Sequence, residues 1–178
     1  MSSEILFGLA VLSSSVAILN ATQVTSAQQR PAYTVTVFAS PTVVKAGSDV
    51  KLTITIKNVS DATIYHIVIS GKPGRNWWIL VRDNQGKSVY ETSNGRKIHG
   101  NDPSQHPWSG SVFSGRYPIK SAETFQQTID LSNEYDLTKP GTYSIQVMRS
   151  DVFTEDDIKM GKSGTPVKSN IVTLDVRP

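Results

Sequence analysis

Between residues 28 and 178, valine and isoleucine together number 27 against 5 leucines. Side chains branched at Cβ fit a pleated strand better than a helix, whereas leucine favours helices. The placement of these residues sharpens the point. In "VKLTITIKN", Val50, Leu52, Ile54 and Ile56 alternate with Lys51, Thr53, Thr55 and Lys57. In "ETFQQTIDL", Phe125, Ile129 and Leu131 share one phase, and Thr124, Gln126, Thr128 and Asp130 the other. "TYSIQVMR" sets Tyr143, Ile145 and Val147 on one face, and "NIVTLDV" does so with Val172, Leu174 and Val176. A period of two with one apolar face describes half-buried antiparallel strands.

Four further runs, 33–39, 63–69, 77–83 and 88–92, bring the expected set to about eight strands. The last two flank "NQGK" and predict a hairpin. No segment has helical periodicity over three turns. Short strands at this spacing predict an all-β fold, an immunoglobulin-like antiparallel sandwich of two packed sheets. "YDLTKPGTYSIQV" adds a Pro-Gly turn ahead of a strand whose inward residues begin at Tyr143. A tyrosine there closes the corner between the sheets through its hydroxyl. There is no cysteine, so packing and hydrogen bonds have to hold the domain without disulfides.

"AGSDVKLTITIKNVSD" and "IDLSNEYDLTKPGTYSIQV" are similar to the β-sandwich preceding the catalytic domain of deuterolysin-type zinc peptidases. The opening of that stretch and the "DNQGKSVYE" hairpin also resemble proteinase-inhibitor domains of the bacillus intracellular type. Both resemblances span roughly residues 45–149 and rest on strand, turn and corner residues. The His-Glu-x-x-His motif of the peptidases is missing, so the resemblance implies a non-catalytic accessory or inhibitor-like domain.

Residues 5–19, "ILFGLAVLSSSVAIL", followed by Thr25-Ser26-Ala27, have the pattern of a secretory signal cleaved after Ala27. The expectation is a signal peptide over 1–27, one domain over 28–178, and a secreted, periplasmic or cell-envelope location, with no membrane span after cleavage. Past Ala27 the chain carries a net charge of +4, because Glu4 falls in the leader. The basic residues are spread out, with no stripe or module for nucleic acid. Asn58-Val59-Ser60 is a glycosylation sequon on a turn.

No catalytic constellation is found. A Gly-x-Ser-x-Gly elbow is absent, and "MGKSG" has Asp156 where a phosphate loop needs glycine. The chain is therefore expected to be no enzyme and to need no cofactor. If successive loops alternate between the ends of the sandwich, 58–62, 84–87 and 132–141 share one end. Loops 40–49, 70–76, 93–122 and 150–169 then share the other. Long loops on a rigid scaffold carry function, so that second rim is the expected binding face, with Arg75, Trp108, Phe113, Tyr117, Asp156 and Lys159 as its contacts. The leading expectation is a protein partner there; the alternative is a carbohydrate or metal ligand on the 99–108 loop. His99, Asp102 and His106 in "HGNDPSQHPW" are donors suited to Zn²⁺ or Cu²⁺, but their spacing matches no ligand motif, and the preferred reading is a solvated loop turning at Asp102-Pro103. His66 is expected to be hydrogen-bonded at a sheet margin. Of the adjacent Trp77 and Trp78, one belongs in the core and one outside.

Overall fold

The computed structural model describes residues 31–69, 73–104, 114–162 and 164–178. The expected leader over 1–27, together with His106, Trp108 and Phe113, lies outside these residues. The elements are β1 Tyr33–Ser40, β2 Val43–Lys45, β3 Lys51–Asn58, β4 Ile64–Ile69, β5 Trp78–Arg82, α1 Ser93–His99, β6 Ser114–Ile119 and β7 Thr124–Asp130. They continue with α2 Leu131–Glu134, β8 Gly141–Arg149, β9 Val152–Thr154, α3 Glu155–Lys159 and β10 Val167–Arg177. A short 3₁₀ turn occupies Pro73–Asn76.

The two main sheets have strand orders β1-β3-β7 and β2-β10-β8-β5, which gives the immunoglobulin-like sandwich. Every pairing in them is antiparallel except that of β2 with β10. Alternation places the core as expected: Val50, Leu52, Ile54 and Ile56 are fully buried, with Val35 and Val37 beside them on β1. Ile79, Val81, Tyr143, Ile145, Val147, Leu174 and Val176 are buried on the other sheet. Tyr143 closes its corner by donating its hydroxyl to the Lys139 carbonyl (2.7 Å). Trp77 is buried and Trp78 exposed, as expected for one in the core and one outside, although Trp77 lies in the bend just before β5 and not on the strand.

Three of these strands went unpredicted. β2 and β9 have three residues each, too few to show a period, and β6 carries a glycine and a proline. β6, β4 and β9 form a small third sheet, order β6-β4-β9. This layer upsets the alternation of loops between two ends. The 58–62 turn lies against residues 119–123, through Asn58 N to Glu123 O and Ser121 Oγ to Ser60 O. The 46–50 segment meets 131–137 instead of the opposite end, through Gly47 N to Leu137 O and Leu131 N to Val50 O.

Residues 88–92 are not a strand. They make single bridges, Arg82 with Ser88 and Glu91 with Tyr135, and then turn into α1. The cause is local: Thr92 Oγ1 accepts from Gly95 N (2.9 Å) as N-cap, and Gly100, at φ 79°, ends the helix. α1 packs backbone to backbone on α2. A Cβ at Gly95 would lie 2.0 Å from the Glu134 carbonyl oxygen.

The sequon asparagine is structural. Asn58 is fully buried and its Nδ2 donates to Ala62 O (2.8 Å) and Ile119 O (2.9 Å). Its Oδ1 accepts from Ser60 N and Ser60 Oγ. Asn58→Ala should therefore cost about 3 kcal/mol, several net hydrogen bonds plus a stranded buried carbonyl. A urea melt at unchanged m-value reads this, and intact mass after expression in a glycosylating host should show Asn58 unmodified.

Candidate binding cleft

A cleft of about 350 Å³ opens where the start of β5, the end of β8 and the α1 segment converge. Trp78, Glu91, His99, Asn101, Arg149 and Asp151 are among the residues lining it, with Asn76 at the end of the 3₁₀ turn and Tyr135 beside α2. Trp78 is 68% exposed, although it sits on a strand whose other face is packed into the core.

One wall is built on His99, the last residue of α1. Its Nδ1 lies 2.6 Å from Glu91 Oε1 and its Nε2 3.1 Å from Glu134 Oε2. An imidazole with a carboxylate on each nitrogen is best satisfied as the imidazolium, which donates at both. The Glu134 bond, and then the Glu91 bond, hold its pKa above the usual histidine value against the effect of burial. Asn101 Nδ2 donates to both oxygens of Glu91 (3.2 and 3.1 Å). Tyr135 stands 5.7 Å from the His99 ring and donates its hydroxyl to Ile79 O (2.9 Å), tying this wall to β5. Gly74 admits the Glu134 carboxylate, since a Cβ there would fall 2.2 Å from its Oε1.

The other wall is built on Arg149, whose side chain is 5% exposed. The guanidinium lies over the Trp77 ring at 5.4 Å, donates to the Ile67 carbonyl and stands 3.9 Å from Asp151. Among the described residues its Nε has no partner, and burial lowers its pKa. Trp77 Nε1 donates to Gln127 Oε1 (2.6 Å), which anchors the indole to the first sheet. Behind Trp77 lies His66, fully buried, with neither ring nitrogen partnered among the described residues. That corrects the expectation of a hydrogen-bonded histidine: β4 is an inner strand of the third sheet, and it turns His66 toward Phe125 and Trp77.

The remaining residues singled out in the sequence are dispersed. Arg75 lies in the 3₁₀ turn. Tyr117, on β6, is exposed with its ring 5.5 Å from Phe125. Asp156 and Lys159 are exposed on α3, where Lys159 reaches Glu155 at 3.9 Å. Asp102 Oδ1 accepts from Ser104 N (2.9 Å) and Ser104 Oγ (2.7 Å), which holds its pKa low. Among the described residues no cluster of three or more His, Asp or Glu side chains is arranged to hold a metal ion. Both nitrogens of His99 already face carboxylates. Glu91, Asn101, Glu134, Arg149 and Asp151 were not anticipated. Only Arg149 had a signal in the sequence, because it falls in the inward phase after Tyr143, Ile145 and Val147.

No family model matches the chain, and no curated protein matches it. Among solved structures it is similar to the CARDB domain of a Pyrococcus furiosus protein, in complex with di-metal ions. The identity is 13%, the coverage 83% of this chain and 89% of that one, and the TM-score 0.41. It is also similar to a beta-glucosidase from Listeria innocua in complex with isofagomine, at 11% identity and a TM-score of 0.37. There the match covers 81% of this chain and 16% of the enzyme.

The pH dependence of the His99 wall follows from the direction of its shift. A histidine whose folded pKa is raised adds stability that is complete below about pH 6.5 and is lost as pH rises through the folded value. Urea midpoints of the wild type should fall as pH is raised from 6.5, and those of His99→Gln should lack that fall.

Proposed function

We propose that the protein is a non-enzymatic binding module, exported by its N-terminal leader, whose cleft takes a neutral polyhydroxylated ligand of the saccharide class. The observation that carries this reading is the exposed indole of Trp78 beside a cleft walled by hydrogen-bonding groups of both kinds. Glu91 and Asp151 place acceptors on the cleft, with the Asn101 amide held on Glu91, and Arg149 places a donor group on the opposite wall. The two arginine- and histidine-borne cations offset most of the carboxylate charge, which favours a neutral ligand over an ion. A flat apolar ring face against Trp78 with hydroxyls turned to the walls matches this arrangement. The volume lies at the lower end of ligand clefts, about 300–1,000 Å³, and suits a short oligosaccharide.

A second reading keeps a protein partner, in an accessory or inhibitor-like role. It is supported by the third sheet, which sets exposed Tyr117 on β6 and the exposed α3, with Asp156 and Lys159, on either side of β4.

Titrating neutral gluco-, manno- and N-acetylglucosamine-based oligosaccharides while following tryptophan fluorescence tests the first reading. Saturable quenching is expected, weakened at least about tenfold in Trp78→Ala, a change of roughly 1.4 kcal/mol. The exposed ring can be removed with little effect on stability. Absence of saturable binding across the panel, or equal binding by the variant, would overturn the reading.

A further inference from the structure

His66 is the most costly feature in the molecule that the cleft does not use. It is fully buried, and among the described residues neither ring nitrogen has a partner. Its ring is wedged between Phe125 at 4.7 Å and Trp77 at 5.6 Å. Buried polar groups are nearly always hydrogen-bonded, and exceptions ask for a reason. The surroundings are set against a charge. Arg149, stacked on the same Trp77, is the charged group that bears on His66. In register it is opposed by Tyr117 of β6 and Val152 of β9, and Phe125 of β7 meets its ring from the first sheet. Asp151 and the Tyr33 hydroxyl act on Arg149 rather than on His66: one stands 3.9 Å from the guanidinium, the other donates to the Arg149 carbonyl.

The layer that carries His66 has a ladder of its own. Among the described residues β4 pairs only with β6 and β9, and this sheet shares no ladder with either main sheet. Arg149 to Ile67 O and Ile67 N to Asp151 O tie β4 to the end of β8, and Ile64 is buried in the common core, so lifting β4 breaks these contacts but no ladder of the two main sheets.

We propose that His66 is an acid-triggered latch: protonating its imidazole drives β4 and the Pro73–Asn76 turn off the sandwich and takes apart the cleft wall formed by Trp77 and Arg149. A second cation in a buried aromatic pocket already holding one, with no acceptor for it among the described residues, is strongly unfavourable. Burial, and then the Arg149 charge, push the pKa of the closed form down to about 3. The sign follows: an opened β4 binds the proton near the ordinary value of about 6.5, so closure is complete above that pH and weakens as pH falls toward 3. Well below pH 6.5 each further pH unit favours the open form about tenfold, so roughly 150-fold accumulates between pH 6.5 and 4. His99, whose pKa is raised, keeps its proton there.

The effect on ligand release rests on the cleft reading above, but the latch itself is tested without ligand. Amide hydrogen exchange of β4 in the full chain, corrected for the intrinsic rate, should show the opening constant rising roughly 150-fold from pH 6.5 to 4 in the wild type. In His66→Leu it should stay flat. No rise in the wild type, or the same rise in the variant, overturns the latch. If His66→Leu fails to fold, NMR titration of the wild-type His66 ring decides. Protonation that moves together with the Trp77 signals supports the latch, and protonation with Trp77 undisturbed overturns it. Lost saccharide binding with intact latch behaviour would count against the ligand class alone.

Discussion

With no cysteine to cross-link it, the sandwich depends on the contact between two apolar sheet faces and on the side chains that pin backbone across it. The fully buried row Leu52, Ile54 and Ile56 needs a facing layer, and Ile145, Val147 and Leu174 supply it. Truncating any one of them would cost about 2–5 kcal/mol, depending on how far the site could relax. Burial alone does not specify where the sheets meet. Long side chains with a polar tip do that. Tyr33 donates to the Arg149 and Thr165 carbonyls, joining β1 to the far end of β8 and the β10 approach. Tyr135 reaches Ile79, Tyr143 reaches Lys139, and Trp77 reaches Gln127. Each buries a large ring and satisfies its one polar group, so apolar and hydrogen-bonding contributions fall at the same point.

What could be read from the sequence is what repeats or what strand geometry forces. β3, β7, β8 and β10 were visible because a period of two sustained over seven or more residues suits a half-buried strand and little else. The opposite fates of Trp77 and Trp78 match what alternation predicts, although Trp77 sits in the bend that leads into β5. The corner role of Tyr143 was legible from the Pro-Gly turn before it. The missed elements are those without period. α1 has seven residues, buries only Gly95, and is fixed by its ends, Thr92 and Gly100, and by the backbone of α2. Its caps stand in the sequence, but a helix this short owes its existence to tertiary contact more than to propensity. The cleft was missed for the same reason. Glu91 and Glu134, 43 positions apart, meet only because α1 folds back onto α2 to place His99 between them.

The cleft exists because the chain leaves the sheet early. Had residues 88–92 continued as a strand, β5 would have gained a ladder partner along its whole length and its outer edge would have closed. Instead the edge is met at a few points, by Val89 N on Val81 O and by the Tyr135 hydroxyl on Ile79 O. An open edge invites pairing with other chains. Here α1 stands beside it with Glu91 and Glu134, the carboxylates on its His99, which leaves a polar hollow where an exposed apolar strand would otherwise lie.

Two histidines flank that hollow under opposite electrostatic conditions. His99 has a carboxylate on each nitrogen, so its wall is strongest with the proton on. His66 has aromatic faces and the neighbouring Arg149 charge, so its wall holds only with the proton off. The same side chain, with the same intrinsic affinity for a proton, is pushed in opposite directions by what each fold segment brings to it. Below about pH 6.5 the His66 side loses stability while the His99 side keeps it; above that value the order reverses. Both walls are therefore sound together only near the intrinsic histidine pKa, and a departure in either direction loosens a different one.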